Sequence, residues 1–252
     1  MIMKYIDTHA HYNDEVYTEP DILLNKLFNE DIDKIVNVGY DNKSIIQTIN
    51  FSKKYEDKIY AVIGYHPLSL NEADMNFLEE TIKENKVLAI GEIGLDYYHS
   101  DDKENQAKLF INQINLAKKY NLPIVIHTRE AGEDTVKILR ENADNLKVLI
   151  HCFSPNEQLV RLVLEKGYTV AFGGNITFKR NAKFYEYVKQ IPLDQILLET
   201  DCPYMTPIPF KGEVNDSSKL KYILDKLAEI KEIDKNELAN IVYENSIKFF
   251  NI

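Results

Sequence analysis

Eight short apolar runs recur along this chain: YIDTHA (5–10), KIVNVG (34–39), IYAVIG (59–64), VLAIGEIG (87–94), IVIHT (124–128), KVLIHC (147–152), YTVAFG (168–173) and ILLETD (196–201). Their Val, Ile and Leu residues follow one another instead of alternating with polar ones, the pattern of parallel strands buried on both faces. Between runs the apolar spacing turns helical. Leu23, Leu24, Leu27 and Phe28 follow Pro20, a residue suited to a helix start; Phe110, Ile111, Ile114 and Ala117 form another stripe; Leu159, Leu162 and Val163 precede Gly167. Eight strand–helix units in 252 residues predict an α/β fold, a (β/α)8 TIM-type barrel forming a single domain over 1–252. A doubly wound open sheet shares the alternation, because periodicity does not report closure.

The tail from Ser217 to Ile252 carries two more helical stripes, through Leu220, Ile223, Leu224 and Leu227 and through Leu238, Ile241 and Val242, which are expected to close the barrel. The stretch 202–217, CPYMTPIPFKGEVNDS, is irregular and proline-rich. It follows the eighth run, where barrel loops border the substrate.

A hydrophobic share of 44% with 28% charged residues excludes a disordered chain. The net charge of −10 argues against a broad basic surface for duplex nucleic acid, while leaving room for a small substrate or a strand end held by metal ions. Cys152 and Cys202 are far apart and outside any CxxC pair, so neither a disulfide framework nor a thiolate zinc site is indicated. No cationic segment leads into an apolar run at the start, and no stretch reaches membrane-span length. The expected location is cytoplasmic, with no membrane association.

His9 and His11 lie on one side of the first run and have the spacing to share an ion, although two hydrogen-bonded histidines would show the same spacing. Position adds to this. Glu92, His127, His151 and Asp201 close the fourth, fifth, sixth and eighth runs, edges that converge on one face of a barrel. Ionisable groups that each end an apolar run need partners when buried, and together these six read as metal ligands. Four imidazoles and two carboxylates exceed the needs of one four-coordinate site. The expectation is two divalent ions, Mg²⁺, Mn²⁺ or Zn²⁺, with Glu92 able to bridge them and Asp201 to orient the attacking water.

His66 in GYHP is a second-tier substrate contact competing with a turn histidine before Pro67, and Arg129 in HTREA suits an anionic group such as phosphate, the alternative being a salt bridge to Glu130 or Glu133. Lys179 and Arg180 stay unassigned. His99 reads as helix-start surface chemistry with Asp101 or Asp102 as the cap, and alternation turns Cys152 and Cys202 away from the metals into packing.

DTHAH (7–11), GYHP (64–67), GEIGLDYY (91–98), HTREA (127–131), HCFS (151–154), TFK (177–179) and ETDCPYMTP (199–207) together resemble the TatD family of metal-dependent deoxyribonucleases, in order and nearly end to end. The resemblance implies a metallo-dependent hydrolase barrel. It also implies that His9, His11 and Asp201 hold one ion, His127 and His151 the other, and that Glu92 bridges. Two departures fall in expected substrate loops: Pro155 stands where the family usually has glycine, and Lys211 with Gly212, Asn215 and Ser217 replaces an arginine-led motif. Lysine offers a point charge where arginine offers a fork, so Lys211 becomes a substrate-binding candidate of altered preference. The expected function is hydrolysis of DNA phosphodiesters from a strand end by a two-metal-activated water, with Asp201 and Glu92 catalytic. The same unit can attack a carbonyl centre such as a cyclic amide, lactone or ester, and a non-catalytic metal-binding scaffold is the third reading. No protein partner is inferred.

Overall fold

A computed structural model describes residues 3–252. Eight parallel strands, β1 (Tyr5–Ala10), β2 (Ile32–Gly39), β3 (Ile59–Ile63), β4 (Val87–Asp96), β5 (Ile124–Arg129), β6 (Val148–Ile150), β7 (Thr169–Phe172) and β8 (Ile196–Leu198), pair in sequence order. Between and after them lie α1 (Pro20–Asn29), α2 (Asn42–Lys54), α3 (Met75–Glu84), α4 (Lys103–Tyr120), α5 (Gly132–Asn142), α6 (Glu157–Lys166), α7 (Ala182–Gln190), α8 (Leu220–Lys231) and α9 (Lys235–Phe250). Beyond β8 the chain closes onto β1: Asp201 N donates to His9 O at 2.9 Å and His11 N to Cys202 O at 2.8 Å. The sheet is therefore a (β/α)8 barrel, and the open-sheet alternative falls.

Two apolar layers hold it. The larger lies between the strands and the helices, where the stripes read from the sequence bury Leu24, Leu27, Phe110, Ile114, Leu159, Leu162 and Val163. The smaller fills the barrel interior with Val36, Val38, Val62, Ala89, Val125, Leu149, Ala171 and Leu197, and the last helix contributes Phe249 and Phe250 to it. Lys147, which precedes β6, reaches the carbonyls of Lys248 and Phe249 at 3.3 Å, so these phenylalanines plug the N-terminal end of the barrel. The tail closes that end, leaving the opposite mouth for polar side chains. No helix among the described residues is long and apolar enough to cross a membrane.

Helix starts follow local chemistry. Asp41, Asp74, Asp102, Asn156, Asn181 and Asp234 accept backbone N–H groups at their own helix N-termini, satisfying donors that the first turn leaves free.

Candidate metal centre

The strand ends bring His9, His11, Glu92, His127, His151 and Asp201 together at the C-terminal mouth. His9 Nε2 stands 3.5 Å from Glu92 Oε2 and 3.9 Å from Asp201 Oδ1, and His11 Nε2 lies 3.5 Å from Asp201 Oδ1. The two Nε2 atoms are themselves 3.1 Å apart. On the other side of Glu92, Oε1 meets His127 Nδ1 at 2.5 Å and His151 Nε2 at 2.6 Å.

Glu92 does not end its strand, as the sequence reading had it; β4 runs on to Asp96. Between Ile90 and Ile93 the pairing with β5 shifts, with one more residue on β4 than on its partner. Such a bulge re-aims a side chain in mid-strand, here into the mouth, and a similar shift on β1 falls between Asp7 and Ala10, around His9. Gly94 is required beside it: at φ +145° a Cβ there would meet His127 O at 1.9 Å.

The far sides of the imidazoles decide what their near sides can do. His11 Nδ1 sits 3.0 Å from Val38 O and His127 Nε2 sits 3.2 Å from Asp96 Oδ2. In its neutral form each ring can donate there, with its proton at the rear and a lone pair facing the centre. His151 Nδ1 lies 3.4 Å from Glu199 Oε1, close enough for ionic contact though not aligned for a hydrogen bond, and His9 Nδ1 is buried without any partner. Burial and the neighbouring His151 push His9 down to about 4, so it is neutral at physiological pH, the form in which imidazole binds cations. Burial opposes charge on Glu92 as well, but His151 and His127 outweigh it and hold the carboxyl well below its ordinary range.

These groups suit divalent cations. Ligand atoms of His9, His11 and Asp201, of His9, Glu92 and His151, and of His66, Glu92 and His127 lie within 4.8 Å of one another in each set. Burial opposes charge on His11, His127 and His151, but the facing carboxylates raise the pKa of all three, the behaviour of a donor set short of positive charge that a cation would supply.

His66 joins this cluster, its Nε2 3.8 Å from Glu92 Oε1 and its ring 4.4 Å from that of His127. Arg129 is exposed at the end of β5 with its guanidinium 4.1 Å from the Tyr98 ring centroid, and the anticipated alternative, a salt bridge to Glu130 or Glu133, is absent among the described residues. Lys211 is exposed in the tight turn at Gly212 and makes no hydrogen bond or ion pair to the cluster. The 202–217 loop borders the site through Tyr204, whose ring centroid is 6.1 Å from that of His11.

Three supporting carboxylates were not singled out from the sequence. Asp96 anchors His127; Glu199, which burial raises to about 7, accepts Cys152 N at 2.5 Å; Asp7, fully buried, accepts Thr200 N at 3.0 Å, Thr200 Oγ1 at 2.5 Å and Ser217 Oγ at 2.6 Å. Asp96 could have been found four residues after Glu92, and Glu199 two before Asp201. His99 is not free surface chemistry: its Nδ1 lies 2.9 Å from Asp96 Oδ2, while Asp102 caps α4 as expected. The packing role holds for Cys202, which is fully buried, but not for Cys152. Cys152 lies past the end of β6 at φ +44°, where strand alternation no longer applies, and Asp201, Glu199 and Glu92 add to burial in raising its thiol pKa.

The profile of TatD related DNases matches residues 6–251. The chain belongs to this family. The metal-dependent hydrolase YabD of Bacillus subtilis, itself uncharacterized, is 42% identical, with 98% of each chain covered. A metal-dependent hydrolase of Methanocaldococcus jannaschii is 31% identical over 98% of this chain and 97% of its own. Among solved structures, the TatD homologue YjjV of Escherichia coli superposes with a TM-score of 0.92 at 28% identity, with 100% of both chains covered. As a member of the TatD family this protein is a metal-dependent hydrolase, and the mouth of its barrel carries donors suited to that chemistry.

Proposed function

We propose that the protein hydrolyses phosphodiester bonds of DNA from a strand end, using two divalent cations. The observation that carries this reading is the division of Glu92: Oε2 faces His9 and Oε1 faces His127 and His151, so one carboxylate serves two histidine groups. In this reading His9, His11 and Asp201 hold one cation, His127 and His151 hold the other, and Glu92 belongs to both. When bound, such a pair supplies Lewis-acid polarisation of the phosphoryl oxygens and acidifies water.

The chain's own groups do the rest. Burial works against charge on Asp201, but the contact with His11 and the neighbouring His151 hold its pKa below the ordinary carboxylate range, so its carboxylate is available to accept a proton from the attacking water. His66 accepts Leu68 N–H at Nδ1 and therefore carries its proton on Nε2; burial and His127 push it down to about 3, keeping it a neutral donor for a phosphoryl or leaving-group oxygen. Arg129 supplies a fixed cation at the rim. The family's DNase designation supports DNA as the substrate, and the net charge of −10 favours a strand end over the grip of a long duplex. A carbonyl substrate would be matched by an apolar mouth, whereas this one carries Arg129, Tyr98 and Tyr204.

The test is cleavage of 3′- and 5′-labelled single- and double-stranded DNA with Mg²⁺, Mn²⁺ or Zn²⁺. Metal-dependent shortening from one end, abolished in Asp201→Asn and Glu92→Ala, is expected. Absence of cleavage with every metal, or full activity in Asp201→Asn, would refute the reading.

A further inference from the structure

We propose that Tyr98 and Arg129 form a subsite that stacks an unpaired nucleobase and binds its phosphate beside the metal centre; this rests on the phosphodiesterase reading above. Arg129 lies two residues beyond His127 on β5, on the same side of the strand. It is registered against Asp96 of β4, and Tyr97 N donates to Arg129 O at 2.9 Å, which pins the two strand ends together. Tyr98 follows, with its ring 4.1 Å from the Arg129 guanidinium and edge-on to His99 at 4.8 Å. His99 and His127 share Asp96, so a continuous set of side chains connects the rim to the metal-facing imidazole.

What these residues leave unsatisfied points to the ligand. Tyr98 stays 62% exposed with both neighbours in place, and its hydroxyl has no hydrogen-bond partner among the described residues. Among the described residues Arg140 and Arg161 pair with Glu165 and Glu157, whereas Arg129, like Arg180, forms no ion pair, although acidic residues outnumber basic ones 40 to 30 and Glu130 and Glu133 stand nearby in sequence. A guanidinium lying on an exposed aromatic ring presents a cation and a π-face together. A nucleotide matches both, through its phosphate and its base. Bases inside a duplex present no free face, so the subsite selects unpaired or frayed ends. Stacking also gives an acidic chain affinity for DNA without many phosphate contacts.

The experiment uses the metal-supplemented protein and a fluorescent single strand of about ten phosphorothioate-linked nucleotides, which resists cleavage, with anisotropy as the readout. Tyr98→Ala and Tyr98→Leu are each expected to weaken binding roughly tenfold, the order of one lost base stack, while Tyr98→Phe restores it. Arg129→Ala is expected to weaken binding and to reduce the slope of log affinity against log salt by about 0.7, one phosphate contact on a single strand. On a strand lacking bases at its ends, the Tyr98→Ala effect should vanish. Wild-type affinity in Tyr98→Ala and Tyr98→Leu, or an equal loss on the abasic strand, overturns the subsite. A wild-type protein that neither binds nor cleaves the normal strand fails the DNA reading itself, and the subsite falls with it.

Discussion

Replacing Asp96 with Asn should weaken one cation site and spare the other. Asp96 is 1% exposed; its Oδ1 accepts Tyr98 N and His99 N at 3.0 Å each, and its Oδ2 faces His99 Nδ1 at 2.9 Å and His127 Nε2 at 3.2 Å. An Asn side chain has one acceptor oxygen, which the two backbone N–H groups would retain because they have no other partner. Its NH2 would then face both imidazoles, and His127 would have to accept at Nε2 and move its proton to Nδ1, the atom 2.5 Å from Glu92 Oε1. A proton there removes the lone pair a cation needs. Loss of such a supporting partner costs about 10–100-fold in metal affinity, or roughly 1.4–2.7 kcal/mol. Calorimetric titration of chelator-treated protein with Mn²⁺ or Zn²⁺ should show two binding events in the wild type and, in Asp96→Asn, weakening of only the event assigned to His127 and His151. Unchanged isotherms, or equal weakening of both events, would refute the reasoning.

Two further outcomes concern the scaffold. Phe250→Ala removes a side chain 4% exposed from the plug of the barrel and should cost about 3–5 kcal/mol, read as a lower urea midpoint; an unchanged midpoint would show that the tail does not close the N-terminal end. Asp33 on β2 meets Lys58 at 3.0 Å and Tyr243 of α9 at 2.8 Å; burial works against its charge, but these bonds win and lower its pKa. Because the folded pKa lies below the unfolded value of 3.8, the contribution is present at neutral pH and lost as pH falls from that value through the folded pKa. The stability gap between wild type and Asp33→Asn should therefore narrow below about pH 4, as thermal melts would show; a constant gap would contradict the pairing.

The barrel was legible because a strand covered on both faces must be apolar throughout, which sets VLAIG or IVIHT apart from the amphipathic helices around them. Closure was not, since it depends on bonds such as Asp201 N to His9 O that join residues far apart in the chain. The six clustered site residues could be read because each interrupts or ends an apolar run where a lone ionisable group would be costly. Their supports carried a weaker signal, closeness in sequence to a ligand for Asp96, Glu199 and Asp7. Asp96, Glu199 and Asp7 resemble ordinary turn or cap carboxylates until the fold brings His127, His151 and Ser217 to them. The placement of Glu92 in mid-strand depends on a bulge, and one extra residue in a ladder leaves no mark in hydrophobic pattern. His99 shows the converse: its setting of Ser100, Asp101 and Asp102 suggests a solvated helix start, and the cap is indeed Asp102, yet its ring turns back to Asp96.

The central claim is that Glu92 is shared by two cations, and the most direct measurement is metal content per chain after saturation with Mn²⁺ or Zn²⁺ and removal of free ions. About two ions per wild-type chain, with at least one lost in Glu92→Ala, is the result the shared carboxylate predicts. One ion or fewer in the wild type, or two ions retained without Glu92, would contradict it.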